Sequence, residues 1–468
     1  MSDYDAVVIG AGGAGLAAAL TLTESGGRVL LVEAAEKVGG STALSGGVFY
    51  AAGTSVQREA GIEGDTPDDM YRYYMTLNQY KPEPALVHRL CHEAAPAFEW
   101  LRELGVTFRT EDLYASGVDK IRRGHRAAGH GAEIVEVLEG HLSTRGADVA
   151  VSTRVDGFLM ADGACRGIVV GGDPVTADAV IVATGGFGAD PDMLAELYPD
   201  AVLHGDRHWY IGSPHCRGDG LTLALDAGGE LTPRNRGLLL LTPGFARDLE
   251  SYLPGWLMMV NRQGHRFVDE TIEYSVLATV LREQDGRECW AILDEDARLA
   301  SASTDYRPAP NWHGDRLLDH VAAGTLLTGA TLEELAARCA LPADAVVTAA
   351  ARYSAMADAG EDRDYFKPAA MLHPVRRGPF YAAKVNAAIV CWTGVGIRID
   401  AEARVLARDG RPIPGLFAAG ETTGGMHGDC YAAGGASIAN AIVFGRIAGR
   451  NAALSARQRA GQPGEIAP

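Results

Sequence analysis

Residues 5–33 run DAVVIGAGGAGLAAALTLTESGGRVLLVE. The first five are apolar or β-branched after one acid, the pattern of a short buried parallel strand. Gly10, Gly12 and Gly15 then spell G-x-G-x-x-G, with Gly13 and Ala14 inside it. An alanine-rich helical run follows, and a second strand, RVLLVE, ends in Glu33. Each part has a physical task. Gly10 makes the tight strand-to-helix turn, Gly12 lets a pyrophosphate approach the backbone, and Gly15 lets helix pack on strand. The helix start offers its N–H groups to phosphate, and Glu33 can accept hydrogen bonds from an adenosine ribose. Strand, glycines, helix, second strand and terminal acid in this order predict an α/β, Rossmann-like dinucleotide-binding unit.

The fingerprint serves NAD and FAD alike, so the next loop has to decide between them. After Ala34 comes KVGGSTALSGG, residues 37–47, which holds Lys37, Gly39, Gly40, Ser41, Thr42, Ser45, Gly46 and Gly47. A second glycine- and hydroxyl-rich loop suits a long cofactor whose pyrophosphate and ribityl chain continue past the first turn, and FAD is expected. AVIVATGGFGAD (179–190) is a buried strand running into Ala183, Thr184, Gly185 and Gly186. GLFAAGETTGG (415–425) is another, ending at Gly420 and Glu421. Ligands bind where parallel strands end at their carboxyl edge. Such ends in both halves of the sequence imply one sheet assembled from both ends of the chain.

With 468 residues the chain has room for more than one domain, and 47% hydrophobic with 22% charged residues is an ordinary globular composition. A formal net charge of −18 argues against a nucleic-acid or anionic-membrane partner. Seven scattered cysteines without a Cys-x-x-Cys pair argue against an iron–sulfur cluster, a zinc ribbon or a c-type haem. The spacing of His125 and His130 suggests no metal site, and none is expected. No apolar run is long enough to span a membrane and no targeting signal precedes the first strand, so a cytoplasmic location is expected.

The N-terminal fingerprint, GGST followed by SGG, ATGGFG, RGDG (217–220), GHRFVDE (264–270), GLFAAGE and GGASIANAIVFGRIAGRNAA together resemble the FAD-dependent fumarate reductase/succinate dehydrogenase flavoprotein superfamily over nearly the whole chain. The resemblance implies an FAD-binding domain in two parts, residues 1–230 and 369–468, with an inserted α+β cap (substrate) domain at 231–368. It adds Val155, Asp219, Gly435, Ala436, Ser437 and Ile438 to the expected flavin contacts. Covalent attachment in this family uses a histidine in the loop after the glycine pair; Ser41, Thr42 and Ser45 stand there instead, so non-covalent FAD is implied.

Within the superfamily, fumarate-type enzymes hold a dicarboxylate with His and Arg and protonate it from a second Arg in the cap. A buried carboxylate needs such cations. Here the three positions carry Tyr274, in HRFVDETIEYS, Trp392, in KVNAAIVCWTGVGI, and Tyr431, in HGDCYAAGG. These replacements resemble the 3-ketosteroid dehydrogenase branch, whose Y-x-x-x-G-A-[ST]-I string reads YAAGGASI here and gives Tyr431 and Gly435. The implied reaction desaturates a ketone to the α,β-unsaturated ketone. Tyr431 hydroxyl and Gly435 N–H would stabilise the enolate oxygen, and Tyr274 would take the α proton. Trp209, Tyr210 and Trp392, with Trp256, would form an apolar wall for the ring. Tyr50 and Tyr114 are candidate assisting phenols, and His215, Asp219 and Glu270 read as structural or flavin-shell groups.

The substrate expected is a hydrophobic ketone, a 3-ketosteroid or a smaller cyclic ketone. An external acceptor (quinone, soluble carrier or oxygen) would remove the electrons. The alternative within the same fold is an ene or enoate reductase acting on a non-dicarboxylate alkene. A third possibility is a flavin-bound subunit that serves a partner.

Overall fold

The computed structural model describes residues 2–245, 253–301, 310–459 and 461. It divides into two compact units: residues 1–200, 212–237 and 391–468, and residues 201–211 with 238–390.

The first unit is built on an eight-stranded sheet. Its centre is the strand Tyr4–Ile9, flanked in parallel by Val29–Val32 on one side and Asp173–Val182 on the other. Pro412–Ala418 adds in parallel to Asp173–Val182, and Asp148–Ala150 to Val29–Val32. Pairing of Ile9 with both Val32 and Val182, and of Val182 with Ala418, sets four strand ends side by side. Those ends continue into Gly10, Glu33, Ala183–Gly186 and Gly420–Glu421, so one sheet edge collects the glycine clusters from both ends of the chain. Buried on both faces, the central strands need no polar alternation, and Ala6, Val7 and Val8 are fully inaccessible.

The helix Gly13–Glu24 follows the first turn and is buried from Gly13 through Leu22. Its alanines allow close approach by the C-terminal helix, Ala436–Arg459. A Cβ on Gly445 would lie 2.4 Å from Ala14 O, so only glycine permits this crossing. The helices Pro67–Leu77 and Pro84–Leu104 belong to the same unit, as does the three-stranded sheet of Val48–Tyr50, Gly124–Ala127 and Phe108–Tyr114.

The second unit centres on the long strand Phe380–Thr393, which pairs antiparallel with Glu288–Asp294 through residue 386. Its core gathers Met258, Trp290, Ile292, Leu335, Tyr353 and Phe380 around the helix Ala343–Ala359. The acidic helical stretch 331–360 forms two helices, Leu332–Arg338 and Ala343–Ala359, the first capped by Thr331 accepting from Glu334 N–H. No described helix is long and apolar enough to cross a membrane.

Candidate active site

The glycine loops meet at the sheet edge. Gly10 has φ +97, in the region that favours glycine, and a Cβ there would fall 2.4 Å from Ala183 O. On Gly15 a Cβ would fall 1.8 Å from Gly10 O, which accounts for the tight strand–helix packing. Gly12 differs: its would-be Cβ has nothing nearer than Gly39 O at 4.0 Å. That open backbone, at a helix start with no side-chain cap, suits a pyrophosphate. Gly12 bridges to Gly39, which brings the 37–47 loop alongside. Thr42 Oγ1 accepts from Gly13 N–H at 3.1 Å, and Ser45 Oγ donates to Thr42 O at 2.7 Å.

Glu33 accepts from Ala11 N–H (2.7 Å) and Ala35 N–H (2.8 Å), one bond per oxygen. A carboxylate with about four lone-pair sites keeps room for ribose hydroxyls. Val155 is buried just beyond the Asp148–Ala150 strand, and Asp219 pairs with Arg154. Glu421 is half-buried and accepts from Thr393 N–H and Oγ1–H at 3.0 and 2.9 Å; desolvation of its carboxyl raises its pKa against those bonds. A Cβ on Gly186 would collide with both Thr393 and Glu421.

The second cluster lies at the start of the C-terminal helix. Tyr431 is buried; its hydroxyl accepts from Ser437 N–H at 2.8 Å and donates to Ser437 Oγ at 2.9 Å. Burial pushes the phenol above its ordinary pKa, and the Ser437 bonds pull the other way. Gly435 has φ +99, and a Cβ would lie 2.8 Å from the Val48 side chain. The Tyr431 hydroxyl and the helix start therefore converge at Ser437, next to Gly435 and Ala436.

Around Tyr431 stand aromatic rings drawn from distant sequence. His427 lies 5.0 Å from it, Trp392 is edge-on to His427 at 4.8 Å, and Tyr74 stacks on His427 at 6.1 Å. Burial lowers the His427 pKa to about 3, so the ring is neutral. Both His427 nitrogens, Trp392 Nε1 and Tyr74 Oη have no hydrogen-bond partner among the described residues. The neighbouring Tyr73 donates to Ala432 O at 2.7 Å and accepts from Val118 N–H at 3.0 Å.

His427, Tyr73 and Tyr74 are not anticipated from sequence. The only local signals are the HG before the tyrosine and the aromatic-rich MYRYYM at 70–75. Asp429 and Cys430 have structural partners: Asp429 pairs with Lys81, and Cys430 N–H donates to Asn78 Oδ1 at 2.9 Å.

The remaining candidates divide. Trp209 and Tyr210 form a short strand pairing in parallel with Ile389 and Val390 in the second unit. Tyr274 opens the helix Tyr274–Arg282 in that unit and is half-buried. Trp256 is buried there too. Tyr50 is fully buried with its hydroxyl 3.4 Å from Arg123 Nη1, and Tyr114 packs under Arg126. His125 bonds Thr54 and backbone carbonyls, and burial lowers its pKa to about 4; His130 and His215 are exposed. Glu270 is locked in an ion-pair network with Arg266 and Lys367.

The FAD binding domain family matches residues 5–438. The chain belongs to the FAD-dependent fumarate reductase/succinate dehydrogenase flavoprotein family. It is 32% identical to a fumarate reductase (cytochrome) of Shewanella frigidimarina, over 96% of this chain and 77% of the relative. A 4-oxocyclohexanecarboxylate 2-dehydrogenase of Sinomonas cyclohexanicum is 29% identical over 97% of this chain and 93% of its own length. Among solved structures, the 3-ketosteroid-Δ4-(5α)-dehydrogenase of Rhodococcus jostii RHA1, in complex with 4-androstene-3,17-dione, superposes with TM-score 0.79 at 25% identity, covering 97% and 98% of the two chains. The protein is thus an FAD-dependent oxidoreductase, and the residues at the sheet edge fit that cofactor.

Proposed function

We propose that the protein is a dehydrogenase that introduces a carbon–carbon double bond next to the carbonyl of a cyclic ketone, steroidal or monocyclic. The observation that carries this is the company Tyr431 keeps. Its neighbours Trp392, Tyr74 and His427 are all uncharged, the imidazole because burial holds its pKa near 3. A carboxylate in such surroundings would lack the cation that offsets its desolvation. A ketone oxygen needs only donors.

Tyr431 is set up as such a donor. Its oxygen already accepts from Ser437 N–H at a helix start, where the macrodipole favours negative charge. If the Ser437 hydroxyl turns its proton toward Tyr431, the phenol proton is freed for the substrate carbonyl. Gly435 N–H supplies the second donor as charge grows on that oxygen. Tyr274 takes the α proton, and the second unit, 201–211 and 238–390, serves as the cap (substrate) domain. Bound FAD, held non-covalently, supplies the two-electron acceptor for the β hydride. An external acceptor, a quinone, soluble carrier or oxygen, then takes the electrons.

The Sinomonas relative, named as a dehydrogenase of an oxo-cyclohexane compound, and the ketosteroid complex of the Rhodococcus structure support this assignment. The Shewanella relative supports the alternative, reduction of an activated alkene. Anaerobic mixing separates them. Cyclohexanone-type or 3-ketosteroid substrates should bleach the flavin of the oxidised enzyme. If they leave it oxidised while fumarate or another alkene reoxidises the reduced enzyme, the desaturase assignment is wrong.

A further inference from the structure

His88 and His92 stand one turn apart on the helix Pro84–Leu104, and the helix Pro67–Leu77 sets Asp68, in its first turn, beside them. The two imidazoles stack with centroids 3.9 Å apart and planes 18° from parallel. His92 Nδ1 lies 2.9 Å from His88 O, a carbonyl that can only accept, so Nδ1 carries the proton. Nε2, the other ring nitrogen, faces Asp68 Oδ1 at 3.2 Å. One donor atom from each of the three residues lies within 4.8 Å of the others.

We propose that Asp68, His88 and His92 bind a divalent transition cation of the zinc, cobalt or nickel class. Two imidazoles and one carboxylate are a donor set such ions favour over magnesium or calcium, and three protein ligands leave a position for water. Histidines at i and i+4 share one helix face, the spacing used by helical zinc ligands. Ligation at about 2.0–2.1 Å requires the stacked rings to splay, through a terminal torsion whose well is broad. The Nδ1–H bond to His88 O fixes the His92 tautomer, as outer-shell bonds do in metal sites. Tyr71 meets His88 edge-on at 5.4 Å and limits its rotation.

The site would tie together two helices, one of which reaches the surroundings of Tyr431. The helix Pro67–Leu77 carries Tyr73, bonded to Ala432 O, and Tyr74, stacked on His427. A cation there braces that helix against Pro84–Leu104 from the outer side, and it does so whatever the substrate is.

The test uses the full-length, flavin-loaded protein after removal of metals with EDTA and desalting. Zn2+ added in a calorimeter should show one saturable site, and the melting temperature should rise with Zn2+ but not with Mg2+. Asp68→Asn and His92→Ala, both on the surface, should each weaken Zn2+ binding by roughly 10-fold or more and abolish the thermal shift. No saturable heat, or the same heat in both variants, overturns the proposal and leaves Asp68–His92 as an ion pair bridged by a proton. Equal binding of Mg2+ overturns the nitrogen-donor assignment.

Discussion

Two buried polar clusters in this molecule are built on opposite plans. In the second unit, Arg266 forms two 2.8 Å bonds to Glu270 and one of 2.7 Å to Asp362. Lys367 lies 3.1 Å from Glu270 and donates to Leu257 O and Tyr353 Oη, both at 2.7 Å. Two cations meet two acids, and among these side chains only Arg266 Nη1 lacks a partner. The cluster around Tyr431 carries no ion, and its buried donors and acceptors on His427, Trp392 and Tyr74 stay unmatched. The first plan uses its polar groups to hold the chain together. The second leaves them open beside a phenol that has a proposed job. Polar satisfaction, more than polarity itself, separates scaffold from candidate site here.

The contrast can be tested from its strongest side downward. Glu270→Gln removes one charge and leaves a buried excess cation, and should cost about 3–5 kcal/mol in urea unfolding. A loss under about 1 kcal/mol would show that the network is not a neutralised unit. Tyr431→Phe and Tyr274→Phe should each slow reduction of the flavin by ketone at least ~10²-fold, with folding intact. An unchanged stopped-flow rate in either would strike that residue from the mechanism.

His427→Phe should be neutral or stabilising by up to about 1 kcal/mol, since it removes two unmatched polar atoms and keeps a ring. It should also alter acid sensitivity. The unfolded chain binds a proton at His427 near the ordinary value of 6.5, whereas the native ring does so only near 3. His427 therefore adds no protonation penalty above about pH 6.5, and the penalty to folding grows as pH drops from there toward 3. Stability of the Phe variant should decline less steeply across that window; a parallel decline would refute the buried, neutral assignment. Lys81→Ala breaks the surface pair with Asp429, and should change stability by no more than about 0.5 kcal/mol.

The FAD-binding sheet is legible in the sequence because its signals are local. Each strand ends in its own glycine or acid within a few residues, as at Ile9–Gly10, Val182–Gly185 and Ala418–Gly420. Parallel strands buried on both faces also leave continuous apolar runs. The ring cluster is not legible, because Tyr74, Trp392 and His427 come together only through tertiary packing across more than half the chain. Nor does any motif foretell that Asp429 pairs with a lysine 348 residues away. The division between the two units near residue 390 is equally silent in sequence, since the strand Phe380–Thr393 runs through it without a glycine or proline.

The order of the strands in the sheet has a consequence for how the protein is made. Asp173–Val182 must wait for Pro412–Ala418, which leaves the ribosome more than two hundred residues later. Until then the nascent chain carries a bare apolar sheet edge, while the whole of the second unit is synthesised in between. Such an unpaired edge invites association with other chains. Slowing translation across residues 183–411 should therefore raise the insoluble fraction, and chaperone supply during that interval should lower it.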